Sequence, residues 1–220
     1  MKKRRYRDDA RGARLKFEYL KAEALLREHR VRHTILVMGS TRAARTNRYY
    51  RIAREFGRLV GRSRGAALMT GGGPGIMEAA NRGAFEAGGV SIGLNIDLPQ
   101  PQRPNRYTTP GLSLRFRYFA LRKLHFLLRA RAMVAFPGGF GTFDELFETL
   151  TLVQTRKIRP MPIVLVGESW WRRAVSMDYL LAEGMIRRAD LRLFSYAESA
   201  CQIWSTIRQE TVSPTASRSE

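Results

Sequence analysis

The sequence predicts an α/β fold: a doubly wound parallel sheet with helices on both faces, in a single Rossmann-like domain. Two observations support this prediction. Short apolar runs are nearly continuous in hydrophobic residues, as expected of strands buried on both faces, and they cover 34–40, 66–72, 90–96, 133–139 and 162–167. Between these runs, hydrophobic residues recur at helical spacing, and strands that alternate with helices give right-handed crossovers and a parallel sheet.

The helices are predicted from the spacing of their apolar residues, and they cover 47–62, 74–88, 113–131, 141–155, 169–183 and a last segment near 198–210. Before the first strand, a polar segment from about 15 to 32 carries an apolar stripe that could dock on the body, formed by Leu15, Tyr19, Ala22 and Leu26. We therefore expect a basic helical extension at 1–33, a Rossmann-like nucleotide-binding domain at 34–210 and a disordered tail at 211–220.

The composition excludes several classes of protein. With 220 residues, 44% hydrophobic and 26% charged, the chain is too apolar for a disordered protein and too charged for a membrane bundle. One cysteine and three scattered histidines exclude a disulfide scaffold and the usual zinc-site spacings. The N-terminus lacks the apolar core of a signal peptide, and no run is long enough to span a bilayer, so we expect a cytoplasmic protein with no membrane partner.

The charge is the unusual quantity, because 39 Lys and Arg residues face 19 Asp and Glu residues, a net charge of +20. Such an excess favours a partner that is nucleic acid, an anionic membrane or an anionic small molecule. The preference of a genome for arginine produces the same excess without any function. No zinc-finger or RNA-binding motif accompanies the charge, so nucleic-acid binding is the less favoured hypothesis.

Two loops at strand ends carry candidate binding residues. Ser40 lies in the turn after the first strand, where backbone N–H groups and a hydroxyl can approach an anion. The loop after the second strand enters a helix through glycines that permit positive φ angles and close backbone approach, namely Gly71, Gly72, Gly73 and Gly75. Tight packing between strand and helix is the alternative interpretation of both turns.

A third loop, PGGFGTFDE at 137–145, carries the strongest pattern. Free amides of Gly139, Gly141 and Thr142, with the Thr142 hydroxyl, would make a phosphate cradle, and Glu145 follows on the first turn of the helix. Thr142 at the N-cap with Glu145 three residues later is also a capping box, which is the purely structural interpretation. Two glycine-rich cradles at neighbouring strand ends, one followed by a carboxylate, favour a binding site.

The basic pair Arg122–Lys123 lies within the predicted helix 113–131. A helix so apolar must be largely buried, so its cations need anionic partners or a cleft. For Arg129 and Arg131 we expect instead that the long side chains reach solvent.

These residues resemble the Lonely Guy (LOG) family, whose signature P-G-G-x-G-T-x-x-E is matched by Pro137, Gly138, Gly139, Gly141, Thr142 and Glu145. The family also has an Arg-Lys pair upstream of that proline, where Arg122–Lys123 falls. The run GGGPGIMEAANRGA at 71–84 looks like the version in the bacterial branch, and the resemblance covers about 33 to 185.

The resemblance implies a hydrolase that cleaves a nucleoside 5′-monophosphate, a cytokinin riboside or purine nucleotide such as AMP, to free base and ribose 5-phosphate. It implies that Glu145 and Arg122 are catalytic, with Glu145 acting as a general base or as an electrostatic stabiliser. The glycine loops, Lys123, Thr142 and Thr151 would bind substrate. No metal or other cofactor is required, and a homodimer or larger homo-oligomer is expected.

Several alternatives remain open. The segment FALRKLHF at 119–126 departs from the M-H-x-R-K-A-E-M of plant-type members, so the surroundings of the base differ and AMP competes with cytokinin nucleotides. His125 is either a catalytic acid or a structural residue. Many family members carry the label lysine decarboxylase, but no lysine here has a recognisable setting for a pyridoxal-phosphate Schiff base. The same fold could also bind or sense a nucleotide without turnover.

Overall fold

Seven parallel strands form one sheet in the computed structural model, which describes residues 2–63, 65–99 and 103–212. Their order is β4-β3-β2-β1-β5-β6-β7, with β1 Thr34–Met38, β2 Ala67–Thr70, β3 Ser91–Ile96, β4 Ser113–Phe116, β5 Ala130–Ala135, β6 Ile163–Val166 and β7 Ser195–Ala197. The chain runs outward from β1 to one edge, then returns to the other side of β1. This order confirms the predicted doubly wound sheet.

Helices cover both faces of the sheet: α1 Lys2–Glu28, α2 Arg48–Arg62, α3 Ile76–Glu86, α4 Phe119–Leu127, α5 Phe140–Gln154, α6 Glu168–Ala174, α7 Met177–Ala182 and α8 Ala200–Val212, with a 3-10 turn at Arg188–Arg192. Alternate residues of β1 enter two separate cores. Leu36 packs on the face with α1, α4 and α5, whereas Ile35 and Val37 pack on the face with α2, α3 and α8. Burial on both faces explains why these strands are continuously apolar.

The predicted helix 113–131 is wrong, because this segment contains strand β4, the shorter helix α4 and the start of strand β5. Leu114 and Phe116 are buried in β4 while their neighbours Ser113 and Arg115 are exposed, which is the alternation of an edge strand with one solvated face. A segment rich in apolar residues fits the spacing of a helix and the alternation of a strand equally well. The apolar pattern therefore did not show where β4 ends and α4 begins.

Three smaller differences concern the C-terminal half. The predicted helix 169–183 is two helices, because Val175 is extended (φ −144°, ψ 122°) and the Ser176 hydroxyl accepts from the Tyr179 amide to cap α7. Strand β7 was not predicted. Helix α8 reaches Val212, and the remainder of the predicted tail, 213–220, lies outside the described residues.

The N-terminal helix α1 begins and ends earlier than predicted, and it docks against α4 through buried Ala22 and Leu26. Its Glu23 carboxylate accepts two hydrogen bonds from the Arg129 guanidinium, at 2.7 and 2.9 Å. The expectation that Arg129 extends into solvent is therefore wrong, because a nearby carboxylate holds it with its side chain only 15% exposed. Arg131 is exposed, as expected.

Candidate functional site

Three loops meet at the carboxyl ends of β1, β2 and β5, where the strand order reverses direction. Open parallel sheets bind ligands at such a switch point. A cavity of about 680 Å³ opens here, lined by Met38, Gly39, Ser40, Thr41, Arg42, Met77, Ile96, Leu98, Phe119, Arg122, Gly138, Gly139, Phe140, Gly141, Thr142, Phe143, Asp144 and Glu145. The lining includes seven of the thirteen candidate site residues that the sequence singled out.

Backbone hydrogen bonds through Ser40 join the three loops. The Ser40 amide donates to the Pro137 carbonyl and the Ser40 carbonyl accepts from the Ile76 amide, both at 3.0 Å. Gly75 has φ +67°, and a Cβ there would lie 2.3 Å from the Ser40 carbonyl oxygen. Only glycine lets these two loops approach so closely. The second glycine loop therefore requires glycine at position 75.

The third loop, at 137–145, leads directly into α5, whose N-cap is Gly139. A Cβ on Gly138 would lie 2.1 Å from the Thr142 hydroxyl, so this turn also requires glycine. The prediction of a free Thr142 amide is wrong, because that amide donates to the Gly139 carbonyl at 2.9 Å. The amides of Gly139 and Gly141 lie where a helix start leaves donors without intrahelical partners, and the helix dipole favours an anion there.

Glu145 is a buried carboxyl in the second turn of α5. Because the helix starts at Phe140 and not beyond Thr142, the capping-box interpretation and the first-turn placement are both wrong. The residue is 6% exposed, and its carboxylate oxygens accept no hydrogen bond from any residue within 2–63, 65–99 or 103–212. A buried carboxyl without donors is unfavourable for folding, which is typical of a group kept for chemistry.

The environment raises the pKa of Glu145 to about 7. Burial is the main cause, because it disfavours the charged form. The positive charges of Arg122 and Lys123 oppose this shift without cancelling it. A carboxyl with a pKa near neutrality can accept and release a proton under physiological conditions, as a general base must.

Arg122 lies on the cavity wall contributed by α4. Its Nε donates to the Leu94 carbonyl at 2.7 Å and its Nη2 to the Gly71 carbonyl at 3.3 Å, and the guanidinium lies 4.9 Å from the centre of the Phe126 ring. Burial lowers the pKa of Arg122 and the charge of Glu145 raises it. Within the described chain the two residues form no ion pair closer than 4.0 Å, so the cation and the carboxyl face one cavity from two walls.

Lys123 does not line the cavity. Its Nζ lies 3.0 Å from both the Asp144 and Glu148 carboxylates of α5, so it joins α4 to α5. Burial lowers the pKa of Lys123, but hydrogen bonds to these two carboxylates outweigh that effect and the pKa is raised.

Other predicted residues also lie away from the cavity lining. Thr151 is exposed, with its hydroxyl donating to the Phe147 carbonyl. Gly71, Gly72, Gly73 and Gly75 form the loop behind the lining, where Gly71 holds Arg122 and Gly75 contacts Ser40. The assignment of these residues to substrate binding stays a prediction.

His125 lies outside the cavity. It is fully buried between the rings of Tyr19 and Phe116, its Nδ1 is 3.5 Å from a Glu23 oxygen, and burial lowers its pKa. This position favours the structural alternative over the catalytic one.

Several lining residues were missed by the sequence reasoning. Arg42 lies two residues after Ser40, and its amide donates to the Ser40 hydroxyl at 3.0 Å. Phe119 and Phe140 are 52% and 96% exposed and form an apolar rim. The placement of Phe140 between two glycines of the signature was the available signal, whereas Phe119 was hidden inside the mispredicted helix.

A buried polar network supports the second glycine loop and was also missed. Asn81 accepts from the Thr70 hydroxyl at 2.6 Å and from the Asn105 side chain at 3.0 Å, and Asn105 donates to the Gly73 carbonyl. The Gly72 amide donates in turn to Thr70. Asparagine on the apolar face of a helix was the available signal, because buried amides need partners.

Across the residues described, no group of three His, Cys, Asp or Glu side chains is placed to hold a metal ion. The same residues contain no helix long and apolar enough to cross a membrane.

A protein-family model described as possible lysine decarboxylase matches residues 77–207, more than half of the chain. Two curated relatives from Arabidopsis thaliana align over 146 residues, 64% of this chain and 67% of each relative. They are the cytokinin riboside 5′-monophosphate phosphoribohydrolases LOG1, at 30% identity, and LOG2, at 25%.

Solved structures with a similar fold include molybdenum cofactor proteins. The carrier protein from Chlamydomonas reinhardtii has a TM-score of 0.58 at 24% identity, and the comparison covers 82% of this chain and 99% of that one. The binding protein from Rippkaea orientalis has a TM-score of 0.54 at 21% identity, over 81% and 95% of the two chains. At these identities the likeness concerns the fold alone.

Proposed function

We propose that this chain, which belongs to the Lonely Guy (LOG) family, hydrolyses the N-glycosidic bond of a nucleoside 5′-monophosphate to free base and ribose 5-phosphate. The observation that carries the proposal is Glu145: a buried carboxyl without hydrogen-bond donors among the described residues, with a pKa of about 7, facing the same cavity as Arg122. The names of the curated relatives support the same activity.

The 5′-phosphate would bind at the N-terminus of α5. Gly139 and Gly141 supply helix-start amides, and the hydroxyls of Ser40 and Thr142 lie in the same lining. Arg42 adds a positive charge at the rim. The volume of about 680 Å³ is within the range of cavities that bind small molecules.

Hydrolysis needs a group that takes a proton from water and stabilises positive charge at C1′. The C1′–N bond breaks with its electron pair leaving on the base, which takes up a proton from solvent. The water oxygen bonds to C1′ and one of its protons passes to Glu145, which returns it to solvent, so that one water molecule is consumed in all. The ionised Glu145 also stabilises the oxocarbenium character that develops at the sugar. Arg122, held by two backbone carbonyls, would orient the sugar hydroxyls.

The base would lie against the apolar part of the lining, formed by Ile96, Leu98, Phe119 and Phe140. A flat purine or a prenylated purine fits such a surface, and adenosine and cytokinin nucleotides therefore both belong in the test.

Lysine decarboxylation does not fit this site. That reaction requires a lysine amine that forms a Schiff base with pyridoxal phosphate. Among the described lining residues there is no lysine, and the nearby Lys123 is engaged with Asp144 and Glu148.

A homodimer is proposed as the functional assembly. Leu124 on α4 and Leu128 at its C-cap are 43% and 47% exposed. They border a depression of about 820 Å³ between α4 and α5, lined by Leu121, Leu127 and Leu152 and also by charged side chains, among them Arg131, Glu148, Lys157 and Arg159. Exposed apolar patches of this kind mark protein interfaces. A second copy seated there would lie against the two helices that carry Arg122 and Glu145.

The experiment is incubation with AMP and with isopentenyladenosine 5′-monophosphate, followed by chromatographic detection of free base. We expect turnover by the wild type and a loss of roughly 10²-fold or more in Glu145→Gln and Arg122→Ala. Glu55→Gln, an exposed carboxyl on α2, is the matched control and should keep full activity. Activity that survived both active-site substitutions would refute the residue assignment. Tight AMP binding without released base would favour the alternative of a nucleotide-binding protein without turnover.

A further inference from the structure

A second cavity, of about 860 Å³, lies at the opposite end of the sheet from the proposed active site. The segments that enter β1, β2, β5 and β6 line it, together with α8. In a parallel sheet the N-terminal ends of all strands lie at the same end of the sheet. The length of the strands therefore separates this cavity from the nucleotide site. The proposed hydrolysis does not use it, but the cavity shares His33, Ala130, Arg131, Arg159 and Met161 with the depression at which a second copy is proposed to dock.

The lining of this amino-end cavity combines apolar and cationic side chains. Its apolar part comes from Met161, Trp204, Ile207 and the two prolines that flank Met161. Three arginines contribute from separate segments: Arg131 from β5, Arg159 from the loop before β6 and Arg208 from α8. No carboxylate is present among these lining residues. Cavities that are mostly apolar, with a few converging polar groups, are the usual form of small-molecule sites.

Two of the arginines have no acidic counterpart. Arg131 donates through Nε to His33 Nδ1 at 3.0 Å, a contact that orients the guanidinium without neutralising it. Over the described ranges, neither Arg131 nor Arg159 forms an ion pair with a carboxylate. By contrast, Arg54, Arg58 and Arg82 on α2 and α3 all share Glu86. An uncompensated pair of guanidinium groups beside an apolar wall is suited to an anion.

The aromatic wall is held in place. The Trp204 ring lies edge-on to Phe56 with centroids 6.4 Å apart, and Phe56 is fully buried in the core. A fixed indole beside cations favours a ligand that has both an aromatic ring and an anionic group.

An adjoining cavity extends the cationic lining. It shares His33, Ser63, Gly65 and Ala66 with the amino-end cavity and adds Arg30 and Arg32, again without a carboxylate among its lining residues. The positive potential at the N-terminal ends of the strands therefore comes from several segments of the chain.

We propose that the amino-end cavity is a second ligand site, which binds a small aromatic phosphate ester. The phosphate would lie between Arg131 and Arg159, and the ring would pack on Trp204 and Met161. Arginines that line a concave cavity with an apolar part favour a small ligand over nucleic acid, which is bound by extended basic surfaces.

The test is calorimetric titration of the full chain with 1-naphthyl phosphate, which has a ring and a phosphate but no N-glycosidic bond. Arg131→Ala/Arg159→Ala should weaken binding at least roughly tenfold, because charge-assisted hydrogen bonds to the phosphate are lost. Arg173→Ala/Arg188→Ala removes the same charge from exposed positions elsewhere and should leave the Kd within twofold. Arg159→Glu, on an exposed loop, provides a second variant with little risk to folding. It should also weaken binding of the probe, because it places a negative charge beside the phosphate.

Three results would overturn the proposal. One is equal Kd values in the two double variants. Another is loss of naphthyl phosphate binding in Arg122→Ala with no loss in Arg131→Ala/Arg159→Ala, which would place the probe in the carboxyl-end cavity. The third is a DNA oligonucleotide that binds more tightly than the probe and depends on the same two arginines.

Discussion

At the scale of single residues, the carboxyl of Glu145 links stability to function. Its pKa rises from 4.5 to about 7 on folding because burial disfavours the ion. The folded state therefore binds more protons than the unfolded state between these two pH values. The favourable contribution of this group is fully present below pH 4.5 and is lost as the pH rises through about 7.

Glu145→Gln should consequently stabilise the protein at pH 8 by up to about 3 kcal/mol, and by much less at pH 5, while it lowers turnover by roughly 10²-fold or more. Urea unfolding at both pH values measures the difference. Glu55→Gln, on the exposed side of α2, should change stability little at either pH. Equal effects of Glu145→Gln at pH 5 and pH 8 would show that its carboxyl is not raised in pKa.

If Glu145 acts as the base, kcat/KM for AMP should rise with pH and level off above about 7. Lys123→Met should move the midpoint upward, because the positive charge of Lys123 lowers the pKa of Glu145. This comparison separates the enzyme group from the substrate phosphate, whose own titration is the same for both proteins. A midpoint that does not move between the two proteins would point to a different titrating group.

Two adjacent glycines offer a matched pair of substitutions. A Cβ at Gly138 would lie 2.1 Å from the Thr142 hydroxyl, whereas one at Gly139 would meet nothing within 4 Å. Gly138→Ala should therefore reduce stability by about 1–3 kcal/mol and impair substrate binding, and Gly139→Ala should be tolerated. Thermal unfolding and KM for AMP measure both effects. Similar behaviour of the two variants would contradict the close approach at Gly138.

At the scale of secondary-structure elements, ion pairs tie the α4 segment to both α1 and α5. Glu23 of α1 holds Arg129 just beyond the C-terminal end of α4, while Lys123 joins α4 to Asp144 and Glu148. Arg122 lies on this helix, so both contacts contribute to the position of a proposed catalytic cation.

The hydrogen bond from Arg129 lowers the pKa of Glu23, so the stability that it contributes is present above about 4.5 and is lost as the pH falls through the lowered value. Glu23→Gln should lower the free energy of unfolding by about 2 kcal/mol at pH 7, since Arg129 loses a charged partner. Glu28→Gln, exposed on the same helix, is the control for urea unfolding. A loss of the same size in both variants would argue against a specific role for the Glu23–Arg129 pair.

At the scale of the whole molecule, the doubly wound order of the sheet places two cavities at opposite ends of the same strands. The carboxyl-end cavity has Glu145 and Asp144 opposite Arg122, whereas the amino-end cavity has only cations among its charged lining residues. The two cavities therefore differ in charge, and they hold only a few of the residues behind the net charge of +20.

The proposed dimer belongs to this scale. Leu124→Asp/Leu128→Asp should convert a dimer to a monomer, because carboxylates would replace the two leucines that the second copy would cover. Light scattering after size-exclusion chromatography measures the mass of the assembly. Tyr179→Asp/Met185→Asp places charges on exposed apolar residues elsewhere and should leave the mass unchanged. A wild-type chain that is monomeric at micromolar concentration would refute the dimer.

The sequence by itself determined five of the seven parallel strands and the two glycine-rich loops that follow β2 and β5. Strands buried on both faces must be continuously apolar, and runs of glycine mark turns that leave no room for side chains, so both features are readable from the sequence. The boundary between β4 and α4 was not readable, because apolar residues served an edge strand and a helix in succession.

Only the tertiary structure decided what the charged residues do. Burial of Glu145, the engagement of Lys123 by α5 and the capture of Arg129 by α1 each depend on groups far away in the chain. A charged side chain looks the same in sequence whether it is solvated, paired or buried alone. Its pKa and its role follow from the charges, donors and solvent that folding places around it.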